Sequence, residues 1–459
     1  MVLQMIDKAM RPSGWWRAAE SRPVAALSLV GLIFAVTYLV AVLVFPAGAG
    51  RIINGDAIQY FAYLQSAVVD GDLDFSNDYR QLYANADPAT NVWLRSRTPT
   101  GRPPNLMSVG PAILWSPFYV SARLALGAVG PGERADALLY ASVGVAGIAY
   151  ATLGALFTFW SCARLFPRPA AFWATLVVWL AGPGIYYSLV SPTYSHATSM
   201  FAVAVFVFAW LATRDRAGFE SVVLLGALGG LVALVRWQDA LVLILPVADM
   251  LAAAWRRRAG LSATAARLAA LSAAAGVAFL PQLLAWNAVY GTPLLIPQGS
   301  AFMRWTQPAM LSVLFSLKRG LFSWTPALLP AAAGFPFLIR RNRLAGWLIV
   351  IVLLATVYVN ASVQDWWAGE AFGARRFIGF GVFLALGLAA LMSVPAAANR
   401  PALAAWFSGA AITYNLLFVF QYQMFMHGQR HLVPYPDTAA QLFLERIWLP
   451  FRLLLRWWS

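Results

Sequence analysis

Residues 24–45, "VAALSLVGLIFAVTYLVAVLVF", form the first long apolar run of the chain and contain no charged residue. A helix of about 20 apolar residues is long enough to cross the hydrocarbon core of a bilayer. The run follows a basic N-terminal stretch and is too long for the apolar region of a cleaved signal peptide. We therefore expect an uncleaved first transmembrane helix whose N-terminus lies in the cytoplasm.

The composition extends this expectation to the whole chain. Of the 459 residues, 61% are hydrophobic and 11% are charged, which excludes a water-soluble globular protein. The single cysteine, Cys162, excludes an internal disulfide and a thiol-rich metal site. We expect one all-α membrane domain over residues 1–459 with about eleven transmembrane helices. They are predicted at 24–45, 136–160, 170–189, 196–213, 219–235, 240–255, 264–287, 322–339, 344–361, 377–394 and 402–423.

The distribution of charge predicts the orientation. With eleven spans, the inner side holds 16 Lys and Arg against 5 Asp and Glu, whereas the outer side holds 17 against 13. The segment 110–126 has two prolines and Arg123, so we expect it at the membrane interface. If it crossed the membrane, the asymmetry would reverse. The sequence therefore predicts a multi-pass membrane protein with a cytoplasmic N-terminus, and the net charge of +15 reflects topology rather than nucleic-acid binding.

Acidic residues gather in the first outer loop, residues 46–135, which we expect to carry interfacial helices. After Asp56, the polar positions fall on one helical face, and we expect this face to meet water. Two interpretations of Asp56 stay open, since the spacing Asp56 to Gln59 fits a capping box as well as a chemical role. The second outer feature is the tail 424–459, which we expect to end in an interfacial helix.

The run "DGDLDFSND" at 70–78 raises the question of a bound cation. Asp70, Asp72 and Asp74 alternate as in an EF-hand loop, but Phe75 and Gln81 stand where that loop needs Gly and Glu. A turn stabilised by aspartate side chains is one interpretation, and an irregular divalent-cation site is the other. A requirement for Mg²⁺ or Mn²⁺ is left open.

Two basic pairs lie on the predicted outer side, where topology does not call for positive charge. Arg375 and Arg376 precede the span at 377–394, and Lys318 and Arg319 precede the span at 322–339. Guanidinium and ammonium groups bind phosphate well, so a lipid headgroup or a substrate phosphate would explain both pairs. Arg236 and Asp239 are expected to pair with each other, and His196 is a weaker candidate at the start of a helix.

Five motifs together resemble the bacterial GT-C membrane glycosyltransferases, whose relatives include the protein mannosyltransferases and the lipid A aminoarabinose transferases. The motifs are "NGDAIQYFAYLQS" (54–66), "GRPPNLMSVGPAILWSPFY" (101–119), "SHATS" (195–199), "KRGLFSWTP" (318–326) and "WWAGEAFGARRF" (366–377). The resemblance implies transfer of a sugar from a polyprenyl-phosphate carrier to a lipid, glycan or protein acceptor outside the cytoplasm. It places the first-loop carboxylate of the family on Asp56, where Ala57 replaces the second acidic residue that many members have.

The resemblance and the residue chemistry together give a hypothesis for the site. Asp56 is the catalytic base or the group that orients the acceptor, because a sugar hydroxyl is a poor nucleophile until it loses its proton. The substrate- or phosphate-binding candidates are Arg375, Arg376, Lys318, Arg319, Tyr60, His196 and Glu370. Single displacement would invert the anomeric centre. A flippase or transporter of a lipid-linked sugar, and a polymerase or ligase of surface glycans, are the alternatives; no inverted repeat or broken helix is evident in the sequence.

Overall fold

A computed structural model describes residues 15–45, 52–84, 87, 89–128, 132–215, 218–256 and 259–458. These residues form helices joined by turns, and the only β pairing among them is an isolated bridge between Met303 and Val363. The prediction of an all-α fold is thereby confirmed. The longer helices are α1 Pro23–Val44, α2 Asp56–Gln65, α3 Ser76–Leu82, α4 Gly110–Gly127, α5 Glu133–Ala163, α6 Arg168–Leu180, α7 Ser195–Thr213, α8 Phe219–Val235, α9 Ile244–Trp255, α10 Leu261–Tyr290, α11 Leu329–Arg341, α12 Arg343–Ala361, α13 Gly381–Met392, α14 Pro401–Met426 and α15 Glu445–Trp458.

The long apolar helices make this a multi-pass membrane protein. Seven helical segments in the described part of the chain are long and apolar enough to cross a bilayer. They are α1, α5, α7, the segment Trp237–Trp255 that ends in α9, α10, α12 and α14. Three further apolar helices, α6, α8 and α13, are shorter. Each predicted span overlaps a helix, while the count of eleven crossings stays a prediction.

Two predicted spans are wrong as continuous helices. The span at 170–189 ends as an α-helix at Leu180 and resumes as one π-helical turn, Tyr186–Val190. The intervening Gly182, Pro183 and Gly184 explain the break, because proline and glycine disfavour a helix interior. The span at 322–339 is divided in the same way at Thr325 before a proline, and α11 begins only at Leu329. From the sequence, the lack of broken helices counted against a transporter. The two breaks remove that point.

Glycines allow the membrane helices to pack backbone to backbone. In α8, a β-carbon at Gly226 would lie 2.5 Å from the carbonyl oxygen of Leu271, and one at Gly230 would lie 2.3 Å from that of Ala275. In α11, a β-carbon at Gly334 would lie 1.7 Å from the carbonyl oxygen of Gly387. Membrane helices associate through such small residues because lipid supplies no hydrophobic force between them. These contacts fix α8 against α10 and α11 against α13.

The helix α2 differs from its prediction as an amphipathic helix with a polar face in water. Residues 57–64 are all buried, so both faces are covered by protein. Phe61 packs edge to face with Tyr119 of α4 and Tyr140 of α5, and Tyr60 does so with Trp115. The tyrosines that the sequence pattern assigned to water therefore join an aromatic core. The helix α4 itself has 18 residues and is not among the seven candidate spans.

The C-terminal helix α15 has the two faces expected of an interfacial helix. Its inner face includes Arg446, whose guanidinium carbon lies 3.7 Å from the ring centroid of Phe418 in α14. Its outer face is apolar and exposed, with Trp448, Phe451 and Leu455. An exposed apolar face on a basic, aromatic helix is typical of segments that lie in the headgroup region. The sidedness of this tail stays a prediction.

Candidate active site around Asp56 and Arg375

Asp56 is held at the site by a tight turn before α2. Gly55 adopts φ 54°, and a β-carbon there would lie 2.2 Å from the hydroxyl of Tyr194, so only glycine fits. Asp56 is the first residue of the helix, and its side chain is 36% exposed. The capping-box interpretation is wrong, because Gly55 is the N-cap and the side-chain oxygen of Gln59 instead accepts from the Leu106 N–H at 2.8 Å.

Arg375 forms an ion pair with Asp56. Its Nη1 lies 2.7 Å from Asp56 Oδ2, and its guanidinium lies over the ring of Tyr194, 5.7 Å from the centroid. Burial lowers the pKa of Arg375, but the Asp56 carboxylate and the nearby hydroxyls of Tyr187, Tyr194 and Tyr60 together outweigh burial, so the pKa of Arg375 is raised. The two residues come from the first loop and from the turn Arg375–Phe377 before α13, so the fold brings distant segments into direct contact.

Arg376 points to a different partner. Its Nη2 lies 2.8 Å from Asp365 Oδ1, and its Nη1 donates to the Asp365 carbonyl oxygen at 2.9 Å. Burial lowers the pKa of Arg376, and the neighbouring Arg375 charge acts in the same direction, while Asp365 opposes both. The two arginines of the pair are therefore separated: Arg375 faces Asp56, and Arg376 holds its own loop.

The other predicted basic pair reaches the same loop. Lys318 Nζ lies 3.8 Å from the ring centroid of Trp367, a cation–π contact. Arg319 is buried and donates from Nε to the Ala371 carbonyl oxygen at 2.7 Å. Arg319 has φ 67° and Ala368 has φ 61°, values that side-chain-bearing residues seldom adopt. Such strain persists where surrounding contacts fix the backbone, here on both sides of one loop–loop junction.

The three remaining candidates have different surroundings. Tyr60 is buried and accepts a hydrogen bond from Ser195 Oγ at 2.8 Å, and burial raises its pKa. His196 is also buried, with its ring centroid 4.7 Å from that of Tyr187. Glu370 is exposed, and it has no ion pair or side-chain hydrogen bond to any described residue. Tyr60 and His196 thus lie in the wall behind Asp56, whereas Glu370 lies at the surface of the loop.

The sequence singled out Arg236 and Asp239 as a pair, but not the buried network through which they reach this wall. Arg236 Nη1 contacts His196 Nδ1, and Arg236 Nε lies 3.7 Å from Asp239 Oδ2. Asp239 also accepts from Ser199 Oγ at 2.6 Å. The expected Arg236–Asp239 pair is present, but it is part of a buried network that ends at His196. Sequence reasoning missed Tyr194, and its place two residues before His196 in the motif "SPTYSHATS" was the available signal.

The acidic run after α2 forms a self-contained turn. Asp72 Oδ1 accepts from Ser66 Oγ at 2.8 Å and from the Asp74 N–H at 3.0 Å, and Asp74 Oδ1 accepts from the Ser76 N–H at 3.0 Å. These are the aspartate turns of the first interpretation. Asp78 is fully buried, and its two carboxylate oxygens have no hydrogen-bond partner among the described residues. Burial, followed by the nearby carboxylates of Asp70 and Asp72, raises the pKa of Asp78 to about 7.

The described residues do not fit a metal ion at Asp56. No group of three or more His, Cys, Asp and Glu in this part of the chain could hold one. Asp56 is followed by Ala57, and its carboxylate is already neutralised by Arg375. A hard divalent cation needs several oxygen ligands in one place. We therefore derive no step through a metal ion.

Comparisons with known proteins give one named structural neighbour. No protein-family model matches the chain, and no curated protein matches it. Among solved structures, it is similar to the archaeal oligosaccharyltransferase AglB from Archaeoglobus fulgidus, in complex with an inhibitory peptide and a dolichol-phosphate. The identity is 16% and the TM-score is 0.41, with 93% of this chain and 55% of that chain covered. This chain thus spans about half the length of that protein.

Proposed function

We propose that this protein is a GT-C-type membrane glycosyltransferase that moves a sugar from a polyprenyl-phosphate carrier to an extracytoplasmic acceptor. The contact that carries this proposal is the ion pair between Asp56 and Arg375. A carboxylate suited to accept a proton and a guanidinium suited to bind phosphate meet beside a loop that also receives Lys318. The motifs that contain these residues are those that resemble the GT-C enzymes.

The ion pair suggests how the site would respond to the donor. Without a donor, Arg375 neutralises Asp56. A donor phosphate would compete for the guanidinium, because arginine binds phosphate oxygens through charge-assisted hydrogen bonds. As Arg375 turns to the phosphate, the Asp56 carboxylate becomes free to accept a hydrogen bond from the acceptor hydroxyl. Donor binding would thereby activate the base.

The reaction then proceeds as a single displacement. The acceptor oxygen attacks the anomeric carbon and forms the new glycosidic bond, while the bond from that carbon to the phosphate oxygen breaks. The hydroxyl proton passes to Asp56, and the electron pair leaves with the polyprenyl phosphate. Arg375 stabilises the charge that develops on the leaving phosphate, with Lys318 as the next cation on the loop junction. The anomeric centre is inverted.

The proposed setting is the inner membrane of a bacterium, with the site facing the periplasm. The site lies at four helix ends: the starts of α2, α7 and α13 and the end of α8. All four fall on the side that the charge pattern assigns to the outside. A polyprenyl carrier can reach such a site from the bilayer. The acceptor would be a lipid, a glycan or a protein; the donor sugar would be a hexose or a pentose.

The test is turnover of a labelled polyprenyl-phosphate sugar by the purified protein. Release of the carrier phosphate with transfer of the sugar supports the proposal. Movement across a vesicle membrane without cleavage would show a flippase, and joining of preassembled chains would show a ligase. The Asp56→Asn variant is expected to lose about 10²-fold or more in kcat, the usual effect of removing a general base. Asp70→Asn is the matched control, because it removes an exposed carboxylate of the same loop.

A further inference from the structure

A second charged site lies at the far end of the helices from Asp56. It is a cleft of about 430 Å³ lined by Phe157, Trp160, Ala163, Arg164, Arg168 and Phe208. Phe208 follows His196 by twelve residues on α7, which separates the two levels by about 18 Å along the helix. The cleft is formed by the ends of α5 and α7 and the start of α6. Because α5 and α7 are candidate spans, it lies where membrane meets water.

The two arginines of this cleft are exposed and not neutralised by the described residues. Neither Arg164 nor Arg168 forms an ion pair or donates a side-chain hydrogen bond within that part of the chain. Arg214 at the end of α7 provides the contrast, since its Nη2 lies 2.9 Å from Asp249 Oδ1. The fold therefore pairs one arginine at this end and leaves two beside an open cleft.

The walls of the cleft are aromatic. Phe157, Trp160 and Phe208 form a triangle of edge-to-face and tilted contacts with centroid separations of 5.1, 5.5 and 6.2 Å. The Arg164 guanidinium carbon lies 5.7 Å from the Phe208 centroid. Rings at this depth suit the glycerol and upper acyl region of a lipid, and guanidinium groups beside them suit its phosphate. A soluble anion would make no use of the rings.

We propose that this cleft binds the phosphodiester headgroup of an anionic phospholipid, with Arg164 and Arg168 on the phosphate and the aromatic walls against the upper acyl chains. On the charge-predicted topology, the lipid belongs to the cytoplasmic leaflet, which carries anionic lipids. This site is independent of the proposed glycosyl transfer. It would anchor the ends of α5, α6 and α7 in the bilayer.

The experiment titrates the purified full chain with phosphatidylglycerol and, separately, with phosphatidylcholine of the same acyl chains, with bound lipid counted by native mass spectrometry. The unmodified protein is expected to retain phosphatidylglycerol in preference. The R164Q/R168Q double variant is expected to bind phosphatidylglycerol roughly tenfold or more weakly, and phosphatidylcholine unchanged. The control R340Q/R341Q removes two exposed arginines of the same predicted side and is expected to keep the preference.

Four results would overturn the proposal. The first is unchanged phosphatidylglycerol binding by R164Q/R168Q. The second is an equal loss in R340Q/R341Q, which would make the effect one of overall charge. The third is complete displacement of the lipid by millimolar inorganic phosphate, which would identify a site for a soluble anion. The R164K/R168K variant keeps the charge and is expected to retain most of the preference; a loss equal to that of the glutamine variant would also contradict the proposal.

Discussion

Asp56 and Arg375 neutralise each other, although the proposed reaction needs them on different groups. Their ion pair is partly exposed, with Asp56 at 36% and Arg375 at 13% side-chain exposure. Water reaches the carboxylate of this pair but hardly the guanidinium, so Asp56 can exchange Arg375 for another partner, whereas Arg375 needs an anion to offset its burial. The pair is therefore better explained as a resting arrangement of the site than as a structural support.

Arg375→Ala is expected to reduce kcat/KM by about 10²-fold, the usual cost of removing one group that stabilises charge in a transition state. Adding Asp56→Asn to this variant is expected to lower kcat/KM much less than Asp56→Asn lowers it in the unmodified protein. The reason is that substitutions of residues that act as a unit do not have additive effects. Labelled-donor kinetics on the two single variants and the double variant measure this. Arg80→Ala removes an exposed arginine of the same loop and is the control. Fully additive losses would show that the two residues act separately.

Asp78 gives a prediction about pH. Its folded pKa is raised to about 7 by burial and by Asp70 and Asp72, whereas in the unfolded chain it is near 3.8. The folded state therefore binds the proton more tightly, so this carboxyl group destabilises the fold increasingly as the pH rises from about 4 to 7. Asp78→Asn is expected to raise the stability at pH 8 by up to about 4 kcal/mol and to have little effect near pH 4.

The measurement for Asp78 is the thermal unfolding temperature of the detergent-solubilised protein between pH 5 and 8. The unmodified protein is expected to lose stability across this interval relative to the Asp78→Asn variant. Asp437→Asn changes an exposed aspartate of the C-terminal segment and is expected to leave the pH profile unchanged. A pH-independent difference between Asp78→Asn and the unmodified protein would contradict the assigned titration.

At the scale of the helix, the glycine contacts are the clearest determinants of packing. Gly334 and Gly276 both lie inside helices, but a β-carbon at Gly334 would meet the Gly387 backbone, whereas one at Gly276 would meet no described atom within 4 Å. Gly334→Ala is expected to destabilise the protein by about 1–3 kcal/mol through overpacking. Gly276→Ala is expected to be neutral or stabilising by up to about 1 kcal/mol, since alanine favours the helix. Thermal unfolding of both variants compares them, and equal effects would contradict the packing.

Hydropathy located each apolar segment but not the continuity of the helices. The break after Leu180 follows from the local glycines and proline, yet Pro117 and Pro281 lie inside α4 and α10 without ending them. Tertiary contacts decide between these outcomes, and a single sequence does not contain them. The burial of α2 was missed for the same reason, because its spacing fits a water-facing stripe and the aromatic partners come from α4 and α5.

Across the whole molecule, the loops that sequence analysis grouped by charge and motif meet in space. The motifs that contain Asp56, Lys318 and Arg375 were singled out, and their loops are in contact through Asp56–Arg375 and Lys318–Trp367. The sequence could not assign partners within this set. It treated Arg375 and Arg376 alike, while the fold gives them Asp56 and Asp365. Which carboxylate each arginine meets depends on backbone turns elsewhere in the chain, and the periodicity of the sequence does not encode those turns.

The orientation and the count of eleven spans can be tested together by cysteine labelling. Cys162 is buried, so a reagent in solution does not reach its thiol. The unmodified chain is therefore a suitable background. Arg80→Cys, Arg341→Cys and His431→Cys each place a thiol at an exposed position. In intact cells, a membrane-impermeant maleimide is expected to label positions 80 and 431 but to reach position 341 only after permeabilisation. Labelling of 80 and 341 from the same side would refute the predicted orientation, and protection of 431 would show an even number of spans. Protection of position 80 in intact cells would move the Asp56 site, and with it the proposed transfer, to the cytoplasmic face.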